Sequence, residues 1–263
     1  MKGQKSIKQI KETCTPQQIY QLINRRTCEY TATTQTAYQC EDKAYLSLLY
    51  LTGARNTELV GGWKRRTEGT IKDKDKKIIQ HGIEVRQPED YTGIQRENIS
   101  FNNRIIEVTH LPVIKRREDT VQKYGELVTQ RPKLIFPLDK TYFKNPYFQQ
   151  YLPFSWLIKE YLAKFAPKRG RLFRYKSSRA WRVCSTITGE HPHYFRSQME
   201  RYHVNYIEKN VIKHAKYMRR LDINSMANYV DYTYDGEFAD DVQTMDFKWI
   251  DTEVDKIKRR LTP

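Results

Sequence analysis

Apolar positions recur at helical spacing along most of this chain. In QCEDKAYLSLLYL (39–51), Ala44, Leu48 and Leu51 fall on one stripe, and TGA follows as a stop. TPQQIYQLINRR (15–26) opens with a Thr cap, a proline at the first helical position and Gln three residues after the Thr, the pattern of a helix start. A short helix is expected from Asn56. RIIEVTHLPVIK (104–115) and KLIFPL (133–138) are β-branched and bounded by FNN and by prolines, so they read as strands. From Asn145 onward the spacing is helical again, through PFSWLIKEYLAKF, SSRAWRVCSTIT, PHYFRSQMERYHVNYI, NVIKHAKYM, NSMANYVDY and DFKWIDTEVDKIKRRL. The pattern predicts a mainly α fold with a small antiparallel β-sheet, an α+β class.

One stretch breaks the pattern. WKRRTEGTIKDKDKKIIQHGIEVRQPED is charged, poor in apolar residues and holds two glycines, so it predicts a basic loop or exposed hairpin. The chain is then one domain over 1–263, with a flexible start at 1–14, a basic insertion at 64–90 and a tail helix within 236–263.

Charge narrows the partner. Lys and Arg total 47 against 31 Asp and Glu, a net +16 spread along the chain. A folded protein this basic meets a polyanion, and nucleic acid is the commonest. Nineteen tyrosines and ten phenylalanines argue for a packed globule and against disorder. Cys14, Cys28, Cys40 and Cys184 form no CxxC pair and have no zinc-ligand spacing, so they read as buried thiols in a reducing interior. AYLSLLYLTGA is too short to span a bilayer, and MKGQKSIKQIKE lacks a signal peptide's apolar segment. These readings place the chain inside a cell, a virus-infected one included, with no membrane partner.

Candidate chemistry is concentrated in three stretches. In GEHPHYFRSQMERYH (189–203), Pro192 suits a first helical turn, and Phe195, Met199, Tyr202 and Tyr206 follow as a core stripe. His193, Arg196, Glu200 and His203 share an adjacent face. His193 and Arg196 then point the same way near a helix N-terminus, where free N–H groups favour anions. A metal is disfavoured, because Arg196 within the cluster repels a cation and His191 and His193 flank a proline. In LLYLTGARNTEL (48–59), Arg55 stands between two helices, and its planar fork suits two phosphate oxygens. Taken alone, Arg55 reads better as a surface cap of a helix. In RRLDINSMANYVDYTYD (219–235), a short helix bears Tyr229, with Tyr232 and Tyr234 just beyond.

Together these stretches resemble the tyrosine recombinase family, the phage-type integrases and Xer-like recombinases. TGARNTEL is similar to the family's arginine box, with Arg55 and Glu58; PHYFR to its H-x-x-R, with His193 and Arg196; SMANY to its nucleophile, Tyr229. The resemblance covers roughly residues 15–235, its sheet region resembling GIQRENISFNNRIIEVTHLPVIKRRED, and its tone is that of archaeal plasmid or virus integrases. The chain departs from the family pattern in three places. Arg220 stands where a His or Trp is usual, the N-terminal core-binding domain is not apparent, and 64–90 is longer than a compact member needs.

The resemblance implies a site-specific recombinase acting on double-stranded DNA, self-associating on it as a dimer or tetramer. Tyr229 would attack a backbone phosphorus, giving a 3′-phosphotyrosine and a free 5′-hydroxyl. The bond energy is retained, so no cofactor, ATP or metal is needed. Arg55 and Arg196 would clamp the non-bridging oxygens, with Arg220 as a third contact. His193 would act as base or second donor, and Glu58 would orient Arg55 or cap its helix. Lys115 is the first choice for protonating the leaving 5′-oxygen, with Lys123 and Lys133 as alternatives. Two other readings stand beside this one: a relative that binds DNA without cleaving it, and a type IB topoisomerase-like relaxing enzyme.

Overall fold

Thr15 opens the first helix as its position in the sequence demands. Its hydroxyl accepts the Gln18 N–H (3.2 Å), and the Gln18 side chain accepts the Thr15 N–H (2.8 Å), closing a capping box over α1 (Pro16–Asn24). The computed structural model describes residues 13–31, 34–62, 64–68, 71–72, 78–80, 83–87, 93–109, 111, 133–143, 145–208, 210, 212–214 and 247–262. Between 64 and 87 it describes the backbone alone. The expected flexible start falls outside these residues up to position 12, as does the expected Tyr229 helix.

α2 (Gln35–Thr52) begins four residues earlier than the apolar spacing suggests and is buried on every side from Ala44 to Thr52. Ala44, Leu48 and Leu51 are in the core as expected, but so are Tyr45, Leu46, Leu49 and Tyr50. A helix apolar all round belongs at the centre of a fold. α1, α3 (Asn56–Val60), α5 (Leu152–Lys164) and α7 (Pro192–Tyr202) pack around it. α4 (Pro146–Gln149) is one turn capped by Asn145, and α6 (Ser177–Thr188) packs against α1, α3 and α7. The tail helix α8 (Lys248–Leu261) places Ile250, Val254 and Ile257 in the core against α5, and Arg260 forks onto Glu160 with two 2.7 Å contacts.

The small sheet is antiparallel, in the order β5 (Ile99–Phe101), β6 (Ile105–Val108), β7 (Leu134–Pro137). Ile99 pairs with Val108, and Ile106 with Phe136. The protein is thus mainly helical with one three-stranded antiparallel sheet among the described residues, as the pattern predicts. Alternation does not show β5, since three residues are too few, although it falls within the stretch that resembles a sheet region. The expected second half of the first strand, 112–115, lies outside the described residues.

The basic stretch is a nested hairpin. β1 (Lys64–Glu68) pairs with β4 (Ile83–Gln87), and between them β2 (Ile71–Lys72) pairs with β3 (Ile78–Gln80). The chain re-enters the body at Gly93, whose backbone lies against the end of α3. A Cβ there would sit 2.4 Å from the Gly61 nitrogen, and φ is +71°, so only glycine fits. The Ile94 N–H then donates to the Leu59 carbonyl (2.9 Å), closing the root of the ribbon.

Cys184 is buried, while Cys14, Cys28 and Cys40 are half-buried rather than buried as expected. Burial pushes the Cys40 and Cys184 thiols up to about 12, which leaves them unreactive. Among the described residues, no helix is long and apolar enough to cross a membrane.

Asp42 is a costly core residue. It is buried on α2, accepts a hydrogen bond from the Tyr30 hydroxyl, and is pushed up to about 7, chiefly by desolvation. A carboxyl whose folded value exceeds its unfolded one stabilises the fold at low pH. That contribution is lost as pH rises from about 4 through about 7. Asp42→Asn is therefore expected to raise the melting temperature at pH 8 and not at pH 4, checked by thermal melts at both. An equal shift at the two pH values would show that titration of Asp42 is not the cause.

Candidate functional site

The Thr-Gly-Ala-Arg turn is built by its own residues. The Thr52 hydroxyl donates to the Leu48 carbonyl (2.5 Å) and accepts the Ala54 N–H (3.1 Å). Gly53 takes the left-handed conformation that ends α2, with φ of +55°. Arg55 follows in extended conformation as the N-cap of α3. Glu58, fully buried, reaches back to it twice: Oε2 accepts the Arg55 backbone N–H (2.7 Å), and Oε1 accepts Nη1 (2.9 Å). Glu58 thus holds the Arg55 guanidinium and caps the helix at once. Asn56 bonds the Tyr45 hydroxyl and both Ser177 oxygens, fixing the turn against α6.

α7 brings the second stretch to the same place. His191 is its N-cap, and Nδ1 accepts the Tyr194 N–H (3.2 Å), so the ring proton sits on Nε2. One turn into the helix, Arg196 Nη1 donates to the carbonyl of Gly53 (2.8 Å) across 143 residues of sequence. The turn that requires glycine thus also supplies the acceptor for Arg196. The charges of Arg196 and Arg55 both act on His193. His193 is exposed at the surface, yet it is held below its ordinary value, first by the protein packed around it and next by Arg196. An imidazole so placed is neutral at pH 7 and able to accept a proton.

Arg55, His193 and Arg196 therefore meet, but not on equal terms. Arg55 leaves 35 % of its side chain in solvent, whereas Arg196 is only 4 % exposed. Its Nε also pairs with the fully buried Glu200 at 3.0 Å. The surface of the site is Arg55 and His193, and the Arg196 charge lies behind them. The sequence sets Arg196 and Glu200 on one helix face at i, i+4 spacing, and the fold buries the pair.

The three histidines of the 189–203 stretch have separate fates. His191 caps the helix, and His193 faces the site. His203, expected on the face of His193, instead begins a π-turn (His203–Ile207) and turns into the core. Its Nδ1 lies 2.9 Å from His214 Nδ1, beside the Phe148 ring, and burial lowers it to about 3. Among the described residues, no group of three His, Cys, Asp or Glu is arranged to hold a metal ion.

Lys115, Lys123, Arg220 and Tyr229 lie outside the described residues, as do Tyr232 and Tyr234. Lys133, the remaining alternative for the acid, pairs with Glu107 at 2.7 Å on the neighbouring strand. Sequence reasoning missed Trp181, whose ring is half in solvent on α6. It stands in a helix with an apolar stripe, and only the fold decides which side it faces. No family model matches this chain, and no curated protein or solved structure matches it.

Proposed function

We propose that this chain is a DNA strand transferase of the tyrosine recombinase type, working through a 3′-phosphotyrosine without metal or ATP. The observation that carries the reading is the meeting of Arg55, His193 and Arg196. Two stretches far apart in sequence are joined there by the Arg196–Gly53 bond. In this reading Arg55, held by Glu58, takes a non-bridging oxygen as the phosphorane gathers negative charge. His193, lowered first by the protein packed around it and next by the Arg196 charge, accepts the phenolic proton of Tyr229. Lys115 protonates the leaving 5′-oxygen, and Arg220 is a third phosphate contact.

The test is a nicked suicide duplex carrying the target site, incubated with the protein in EDTA and run on a denaturing gel. A covalent protein–DNA band is expected, and a plasmid pair bearing two sites then separates recombination from relaxation. Binding with no band selects the second reading, a DNA-binding relative that does not cleave. The burial of Arg196 and its pairing with Glu200 favour that reading, since a guanidinium so engaged is poorly placed to reach a phosphate.

The ribbon supports a DNA partner under either reading. A two-stranded β-ribbon fits the major groove. Its sequence is rich in Lys and Arg, which favours a polyanion. Binding is expected to weaken steeply with salt, as neutralised phosphates release counterions. Deleting residues 64–87 is expected to lower affinity and flatten the slope of log K against log salt, measured by anisotropy. An unchanged slope would remove the ribbon from the interface.

A further inference from the structure

We propose that Trp181, His191 and His193 form a stacking platform for an unpaired base of single-stranded DNA, beside the phosphate site at Arg55. This rests on the reading of the protein as acting on DNA. Trp181 is 51 % exposed on α6, whose core stripe is Ala180, Val183, Cys184 and Ile187. The helix does not need Trp181 for its packing. Its ring lies nearly parallel to that of His191, at 10° with centroids 6.0 Å apart, and His191 is nearly parallel to His193, at 20° and 6.4 Å. The middle ring is locked, because His191 caps α7 through Nδ1. The last ring feels the charges of Arg196 and Arg55. The row of rings therefore runs from open solvent to the site.

The surroundings of Trp181 indicate what covers it. Ser178, Arg182 and Ser185 are exposed beside it on α6. An apolar protein partner would find one large ring among charges and hydroxyls, not the contiguous patch such interfaces use. A nucleobase fits better: its π-face stacks on indole or imidazole, and the phosphates on either side meet arginine. A paired base in a duplex is already stacked on its neighbours and gains little from the platform. The ligand is thus an unpaired base. The proposed chemistry produces such bases, since cleavage frees a 5′-hydroxyl end that must leave one duplex to attack in another.

The experiment compares an intact duplex with the same duplex carrying a short single-stranded gap, labelled with fluorescein and titrated by anisotropy. The wild-type chain is expected to bind the gapped DNA more tightly. Trp181→Ala should reduce that preference by about five- to 150-fold, the range for loss of one stacked base. It should leave intact-duplex affinity and the melting temperature as they were, and Trp181→Tyr should retain most of the preference. Three outcomes would overturn the platform while leaving the strand-transferase reading in place: no wild-type preference, a preference that survives Trp181→Ala, or an equal loss on both DNAs. Failure of the wild-type chain to bind any DNA would remove both.

Discussion

Tyr229→Phe is expected to abolish the covalent DNA adduct while leaving duplex affinity as it is. The substitution removes one oxygen, the atom that would attack phosphorus, and keeps the ring. The fold also disqualifies other tyrosines. Tyr45, Tyr50 and Tyr175 are buried, with phenols held protonated by desolvation. Tyr202 is likewise buried and raised. Tyr194, inside the H-x-x-R box itself, has its hydroxyl 3.1 Å from Cys14 Sγ and is raised by burial. A nucleophile needs a phenol within reach of solvent and cations, which these five lack. The measurement is the suicide-duplex gel, followed by mass spectrometry of the linked peptide. An adduct that persists on Tyr232 or Tyr234 would move the nucleophile and break the correspondence with SMANY.

Arg196→Ala is expected to destabilise the fold by about 3–5 kcal/mol, because it breaks a buried ion pair by removing one partner. Chemical denaturation measures this directly. Loss of activity in that variant would say little about catalysis, since unfolding alone could cause it. The double variant Arg196→Met, Glu200→Leu separates the two roles. Replacing a buried ion pair by apolar residues of similar volume is often neutral or stabilising, so most of the lost stability is expected to return. Cleavage is not, because the site would lose the Arg196–Gly53 bond that ties the Arg55 turn to α7; the opposing effects of Arg196 and Glu200 on His193 go together, so the pH dependence of cleavage should shift only slightly to higher pH. If the double variant regains both stability and cleavage, Arg196 is a structural residue and Arg55 with His193 carries the site without it.

Much of the helical architecture was legible because helix ends are local. Thr15 with Pro16, Asn145 with Pro146, and Pro192 after His191 each satisfy or remove free N–H groups within a few residues. Gly53 ends α2 for the equally local reason that a left-handed residue is needed there. The basic hairpin was also readable, as charge and glycines in place of apolar periodicity. By itself the sequence determined these elements, the α+β class and the excess of positive charge. Other features depend on pairings between distant parts of the chain. Three-residue β5 exists because β6 offers it a partner, and Ala44 to Thr52 are buried all round because other helices enclose them. Arg55 and Arg196 were separate candidates until the Gly53 carbonyl joined them. Only the tertiary structure decided that Arg196 lies inward against Glu200, that His203 leaves the site for His214, and that Trp181 faces water. The physical reason is that periodicity selects a face of a helix, whereas burial, ion pairing and solvent access depend on what packs against that face.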